Sequence, residues 1–464
     1  MAYVDRKARA EESWETYWET RAIPILEVSK NSLQLMLRRA ERVRPADVAK
    51  VVLADPLLTL QALRYIGRRE RSSLAADVVS IEKIVMLTGT VPFLEQFCSL
   101  PTVESVLQPH SADDYNEFLQ ELYLCRFSAR LALAYADWRY DARPEEVATA
   151  AILSRGHLLL YLLRGKQSTH SSPQGTDLCR FLTHLNIPFA VVQLLDPADN
   201  LPPRAILQQA VLRLVDAFQL GWWQRSVQEE LALIASILEV ETAAVWQALC
   251  RVALFFAQDP ARWPQITHPA RWLPMLPGDW SMPAVVASKP IEMNLPLIKP
   301  DPLQQHMQTL HLICRQGLPA KDIILHTVQA LSAGLGMRRI VFAVQAPGQS
   351  ELRVRYVLGV PTESHLRHLT IKMDGSNIFS RLMEKPQGLW INESNAVRVM
   401  PSFPSEFRAC YQAEQFCIMS IFAGTKPLGI MIADLSGSDC LTEYHYQHFK
   451  QICVLAMKAL ARDA

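Results

Sequence analysis

Cysteine is the first residue type in this chain that could do chemistry, as a metal ligand, a redox pair or a nucleophile. Nine occur, at positions 98, 125, 179, 250, 314, 410, 417, 440 and 453. The number is odd and no two stand as Cys-x-x-Cys. That scatter fits free thiols in a reducing compartment better than a disulfide frame or a zinc site. A reactive thiol also needs an electropositive neighbour, and the sequence offers none to Cys410 or Cys417, so packing is the expected role of both. Other chemistries lack their scaffolds. The chain has no Gly-x-x-x-x-Gly-Lys-[Ser/Thr], no Gly-x-Ser-x-Gly and no His-Glu-x-x-His, the patterns that cradle nucleotide phosphates, aim a serine nucleophile and hold a protease zinc. The densest basic spot is Arg64, Arg68, Arg69 and Arg71, for which a solvated helix end is expected.

The elements that must position any site fall into two regimes. The 464 residues are half apolar and one fifth charged, an ordinary globular balance. The length suggests about two to four domains. Lysine and arginine total 47 against 46 acidic residues. A net charge of +1 sets up no field that would gather nucleic acid or anionic lipid. The start, Met1-Ala2-Tyr3-Val4-Asp5-Arg6-Lys7, carries no apolar signal core, and no uncharged apolar run approaches the roughly 18 residues of a membrane span. A cytoplasmic protein with neither membrane nor nucleic-acid partner is expected.

Ten of the 29 prolines fall between Pro260 and Pro302, with Trp263, Trp272 and Trp280 among them. Proline at that density removes amide donors and fixes φ, so residues 259–302 read as a connector, docked by its tryptophans. Before it the pattern is helix after helix. Asp55-Pro56 is a helix start, with aspartate as N-cap and proline at the first helical position. Leu58, Ala62, Tyr65 and Ile66 then recur at helical spacing, and similar stripes run through 124–136, 147–163 and 205–220. The first half is expected to be all-α.

After the connector the period changes. Leu303, Met307, Leu310 and Cys314 mark one helix face. Residues 340–344 and the alternating run 352–358 read as strands, with a turn near Gly348. A second pair, 416–422 and 428–433, is joined by Gly424-Thr425-Lys426-Pro427. A final helix spans 444–460, with Phe449, Ile452, Ala456 and Leu460 on one face and Val454 and Leu455 off it. Helices around an antiparallel sheet make an α+β domain.

The run Val51-Val52-Leu53-Ala54-Asp55-Pro56-Leu57-Leu58-Thr59-Leu60-Gln61-Ala62-Leu63-Arg64 resembles the opening motif of HDOD domains, degenerate relatives of HD-type metal phosphohydrolases. Val79-Ser80-Ile81-Glu82-Lys83-Ile84-Val85-Met86-Leu87-Thr88-Gly89 is similar to the family's next helix. The resemblance covers residues 20–225, with 226–258 as a helical extension. It departs from the pattern near Gly67-Arg68, where an asparagine-serine pair is usual, and at Lys83. It implies an all-α domain and says where metal ligands would stand in an active relative. Phe127 takes the first histidine's place, Ser154 and Arg155 that of the His-Asp pair, and Leu194-Leu195-Asp196 that of the later histidines. Asp216 alone matches a final aspartate. Hydrolysis would need several donors converging on metal, so none is expected. A metal-dependent phosphohydrolase acting on a nucleotide is the alternative, with His157, Asp196 and Asp216 as recruited ligands.

Residues 303–464 resemble a GAF domain, a sensory module that binds small ligands or mediates dimerisation. The resemblance rests on the order of elements and on Asp374–Met383 followed by Gly388-Leu389-Trp390-Ile391, a helix and strand that often cover the family's pocket. Met419–Phe422 and Pro427-Leu428-Gly429-Ile430-Met431-Ile432-Ala433-Asp434 are similar to its closing strands. The cyclic-nucleotide signature is missing, and Cys410, near the place of a bilin-attaching cysteine, is followed by Tyr411 and not by histidine. Phe342, Tyr356, Phe379, Trp390 and Met419 are the candidate pocket residues, with filling of the domain's own core as the competing reading.

The expected architecture is therefore multidomain, an all-α HDOD-like domain followed by an α+β GAF-like domain with an antiparallel sheet. The expected function is a non-enzymatic, bacterial-type signal-transduction protein. The helical half would be a protein-interaction or output platform, and the second half would sense a small molecule or dimerise. No cofactor, catalytic residue or metal ligand is assigned. Partners are expected among signalling proteins. For the helices 303–316 and 444–460, pairing with a second chain and packing on their own sheet are both open.

Overall fold

The computed structural model describes residues 17–19, 21–68, 80–109, 111–141, 143–164, 175–196, 201–258, 301–345, 351–373, 377–437 and 440–461. Two compact units emerge, Met1–Ile298 and Lys299–Ala464. Nearly all of the expected connector, residues 259–300, lies outside the described residues, as do Arg69, Arg71, Asp374 and the expected turn at Gly348.

The described part of the first unit is helical apart from one bridge, between Ile25 and Thr102. Asp55 caps the helix Pro56–Gly67 as its sequence suggests. Its Oδ1 accepts from the amides of Leu57 and Leu58 at 3.0 and 3.1 Å. The second oxygen accepts from the amide of Leu26 at 2.9 Å, so one fully buried carboxylate also ties down the segment before the helix Glu27–Leu37. Gly67 closes the helix because a Cβ there would meet the carbonyl oxygen of Asn186 at 2.4 Å. The close backbone approach leaves room only for glycine at that position.

Arg64 corrects the expectation of a solvated basic cluster. It is 3% exposed, and its guanidinium donates to the carbonyls of Trp18 at 3.0 Å and Arg21 at 3.4 Å and also to that of Glu19. The arginine gathers main-chain acceptors of the preceding segment, which offsets the cost of burying it. Burial still draws its pKa down to about 10.

The expected stripe at 147–163 is two helices, Pro144–Leu153 and Gly156–Arg164. Between them the Ser154 hydroxyl donates to the Ala151 carbonyl at 2.7 Å, a local bond that competes with helix continuation. Taken together, Pro144–Arg164 is long and apolar enough by composition to cross a membrane, but it holds Glu145, Glu146, Arg155 and Arg164 and so is not the uncharged run that the sequence reading excluded. It is a core segment, 72% buried inside the structure. Helices Arg225–Leu238 and Thr242–Ala257 contribute Leu231, Ile234, Trp246 and Leu249 to the same core as Leu58 and Phe118. Residues 226–258 are thus integral to the helical unit.

The second unit is a six-stranded sheet with strands β1 Arg339–Gln345, β2 Glu351–Leu358, β3 Thr370–Lys372, β4 Gly388–Ile391, β5 Phe416–Ala423 and β6 Lys426–Asp434. Their order is β3-β2-β1-β6-β5-β4, antiparallel throughout. The hairpin β5–β6 turns at Gly424, where φ is +62°. In β2 the alternation holds up to a bulge opposite Phe342 and Ala343. Helices Pro302–Gln316 and Glu443–Leu460 pack on each other, and the latter also lies on β5. The Cys314 thiol donates to the Leu455 carbonyl at 3.3 Å. The second apolar face of the last helix is therefore covered within this unit, by the helix that opens it.

Candidate functional site

The residues singled out at 155 and 216 meet a third at a junction of helices. Glu121 comes from Ala112–Trp138, Asp216 from Pro203–Leu220, and Arg155 from the turn made by the break after Leu153. The Arg155 guanidinium donates to Glu121 through Nη1 and to Asp216 through Nη2. Burial works against its charge, but the two carboxylates outweigh that cost and its pKa stands above the ordinary arginine value. Two carboxylates that could have faced a divalent ion instead grip a cation belonging to the chain.

The surroundings agree with that arrangement. Phe127 is buried, with ring centroids 6.1 Å from Phe218 and 5.6 Å from Phe256. Cys125 is buried, and burial pushes its thiol up to about 12, far from the thiolate a metal would want. His157 is 7% exposed on the inner side of Gly156–Arg164. Among the described residues no group of three or more His, Cys, Asp or Glu side chains is placed to hold a metal ion. His157, Asp196 and Asp216 are therefore not brought together. Sequence reasoning singled out Arg155 and Asp216 but missed Glu121, which sits 34 residues before Arg155 and has no motif of its own.

Replacing Arg155 with alanine leaves Glu121 and Asp216 as like charges with no counterion. Arg155 and Glu121 are 15% and 20% exposed and Asp216 55%, so the loss falls between those of surface and buried pairs, about 2 kcal/mol. Chemical denaturation checks this, and adding Glu121→Gln should recover part of the loss.

In the second unit the five candidate pocket residues do not share one space. Cross-strand pairing places Tyr356, Phe342, Met431 and Met419 in one row, and Trp390 in the neighbouring row on the same face. The Trp390 ring stacks on Tyr446 of Glu443–Leu460 at 6.0 Å, so this face carries the helical layer. Phe379 lies on the opposite face, packed with Phe403 at 5.4 Å and Phe407 at 5.1 Å. The short helix Ile378–Leu382 packs on that face, whereas β4 is the edge strand of the sheet and not part of a cover, and aromatic rings fill the space beneath the helix: Phe403, Phe407, Tyr411 and Phe416. The common-pocket reading is corrected accordingly, because alternation along β1 and β5 sends Phe342 and Met419 to the other side from Phe379.

The polar residues that the sequence reading missed lie at the end of this aromatic layer. Asp434 is 2% exposed at the end of β6. It accepts from Arg339 Nε at 2.7 Å, from the Tyr411 hydroxyl and from the Ser436 amide at 2.8 Å. The guanidinium lies over the Tyr411 ring at 4.3 Å. Burial first, and then the Asp434 charge, push the Tyr411 phenol well above its ordinary pKa, so it stays a donor. A polar cleft of about 320 Å³ opens beside them, lined by Arg339, Gln412, Glu414, Gln415, Ser436 and Cys440. Cys417 is buried, and burial raises its pKa strongly, as expected of a packing thiol. Cys410 ends the short helix Ser405–Cys410 and is half-buried.

No protein family and no curated protein sequence matches this chain. Among solved structures it is similar, in its C-terminal part, to a segment of a methyl-accepting chemotaxis protein. That match has 15% identity and a TM-score of 0.29, and covers 34% of this chain and 96% of the other. It is also similar to the phycoerythrobilin-bound and phycocyanobilin-bound GAF domains of a cyanobacterial phytochrome. Both show 17% identity and a TM-score of 0.28 and cover 34% of this chain, with 95% and 94% of the respective domains.

Proposed function

We propose that this chain is a non-enzymatic signal-transduction protein of the cytoplasm. Its helical unit acts as an HDOD-like interaction platform, coupled to a GAF-like unit that senses a small molecule or dimerises. The observation that carries the reading is the Arg155 guanidinium held between Glu121 and Asp216. A hydrolytic centre needs those oxygens free for a metal that lowers the pKa of a bound water and clamps phosphate oxygens. A side-chain cation between them does neither. The alternative, nucleotide hydrolysis with His157, Asp196 and Asp216 as ligands, requires Asp216 to be released from Arg155 and brought to two residues it does not join.

In the second unit the aromatic layer supports a sensing role that works by displacement. A ligand entering that layer would have to move rings such as Phe403 or Phe407, and their movement would be the signal.

Metal analysis of the purified full-length chain, with assay of nucleotide hydrolysis in added manganese, tests the reading. Substoichiometric transition metal and no turnover above the buffer rate are expected. Stoichiometric metal together with turnover overturns it.

A further inference from the structure

A groove on the helical unit points to the kind of partner this protein takes. It runs between the helices Ala112–Trp138 and Thr242–Ala257, which lie antiparallel. Phe127 meets Phe256 at one end, and the Tyr135 hydroxyl donates to the Val245 carbonyl at 3.0 Å at the other. Arg130, Leu133, Ala134, Asp137 and Trp138 line one wall, and Ala248, Arg251 and Val252 the other. Alanine at 134 and 248 leaves the seam hollow, and the space is about 450 Å³. Larger side chains at those two positions would have closed it.

The rim combines exposed apolar surface with guanidiniums that join no ion pair among the described residues. Leu133 is 38% exposed and Phe255 47%. Arg130 lies over the Phe255 ring at 3.5 Å. Neither Arg130 nor Arg251 joins an ion pair among the described residues, whereas Arg143, Arg155, Arg204 and Arg213 all do. Asp137 also lines the groove, so the two guanidiniums share it with one carboxylate and outnumber it.

We infer that this groove binds an acidic amphipathic helix of a partner protein. The helix would seat apolar side chains over Ala134 and Ala248 and set carboxylates against Arg130 and Arg251. A groove between two helices accepts a third by its apolar stripe, and guanidiniums outside any ion pair choose the sign of that helix's polar face. The inference rests on the platform role proposed above and gives that role a place and a partner chemistry.

Fluorescence anisotropy of the full-length protein tests it with two labelled helical peptides. They share Leu and Trp at the same apolar positions, and one carries Glu where the other carries Lys. The Glu peptide should bind at micromolar concentration and weaken as salt is raised, and the Lys peptide should bind at least tenfold more weakly. Arg130→Glu with Arg251→Glu should weaken the Glu peptide at least tenfold. Ala134→Leu, which fills the hollow without altering charge, should do the same.

Equal binding of both peptides, binding of neither, or indifference to these substitutions overturns the inference. So does light scattering that shows a dimer dissolved by Arg130→Glu with Arg251→Glu, since the occupant would then be a second copy of this chain. The hydrolysis assay keeps the two readings apart. Failed peptide binding without turnover removes the groove proposal alone, whereas metal with turnover removes the platform.

Discussion

Replacing Asp434 with alanine is expected to destabilise the C-terminal unit by about 3–5 kcal/mol, the range for breaking a buried ion pair from one side. The carboxylate is 2% exposed and serves three donors, from Arg339, Tyr411 and Ser436. Its removal strands a guanidinium that is itself only 16% exposed. Most of the loss therefore comes from what is left behind. Tyr411→Phe deletes one donor and leaves the ion pair, so it should cost only about 1–2 kcal/mol. Arg339→Met added to Asp434→Ala should restore much of the loss, since an apolar pair of similar volume no longer buries a lone charge. Urea unfolding of these variants beside wild type, with Arg339→Met alone to complete the cycle, checks this, and equal losses for Asp434→Ala and the double variant would refute this account.

Gly429→Ala is expected to damage the same unit by about 3 kcal/mol, the upper part of the range for overpacking. Gly429 stands in the middle of the sheet on β6, opposite Val344 of β1 and Ile421 of β5. A Cβ there would meet the Ala343 carbonyl oxygen at 2.1 Å and the Val344 Cα at 3.1 Å. Both obstacles are main chain, so no rotamer change relieves them and β1 must move away from β6. Hydrogen exchange should show faster exchange at the amides of the β1–β6 ladder than at those of β2–β3. A wild-type exchange pattern would rule out the steric argument. The glycine of the Pro-Leu-Gly run thus has a mechanical reason, independent of any resemblance.

Much of this architecture could be read in the sequence, for reasons that differ by element. Asp55-Pro56 announces its helix because both residues act locally, through a cap and a preset φ. The strands at 416–423 and 426–434 stand out because a continuous apolar run broken by Gly424 admits few other readings. The break at Ser154 was hidden, since the apolar stripe continues across it and only a serine hydroxyl bonding back to Ala151 marks it. The separation of Phe379 from Phe342 and Met419 was equally hidden. It depends on strand register, which pairs residues more than 70 positions apart and has no local signature. The Arg339, Tyr411 and Asp434 cluster escaped for the same reason, its members being scattered over 95 positions until the sheet assembles them.

The arginine between Glu121 and Asp216 has one further consequence. A bound ion would make the junction of those three helices answer to supply, to chelators and to competing metals. A counterion fixed covalently to the backbone is made with the chain and cannot be exchanged. The link between Glu121 and Asp216 therefore draws on nothing outside the chain.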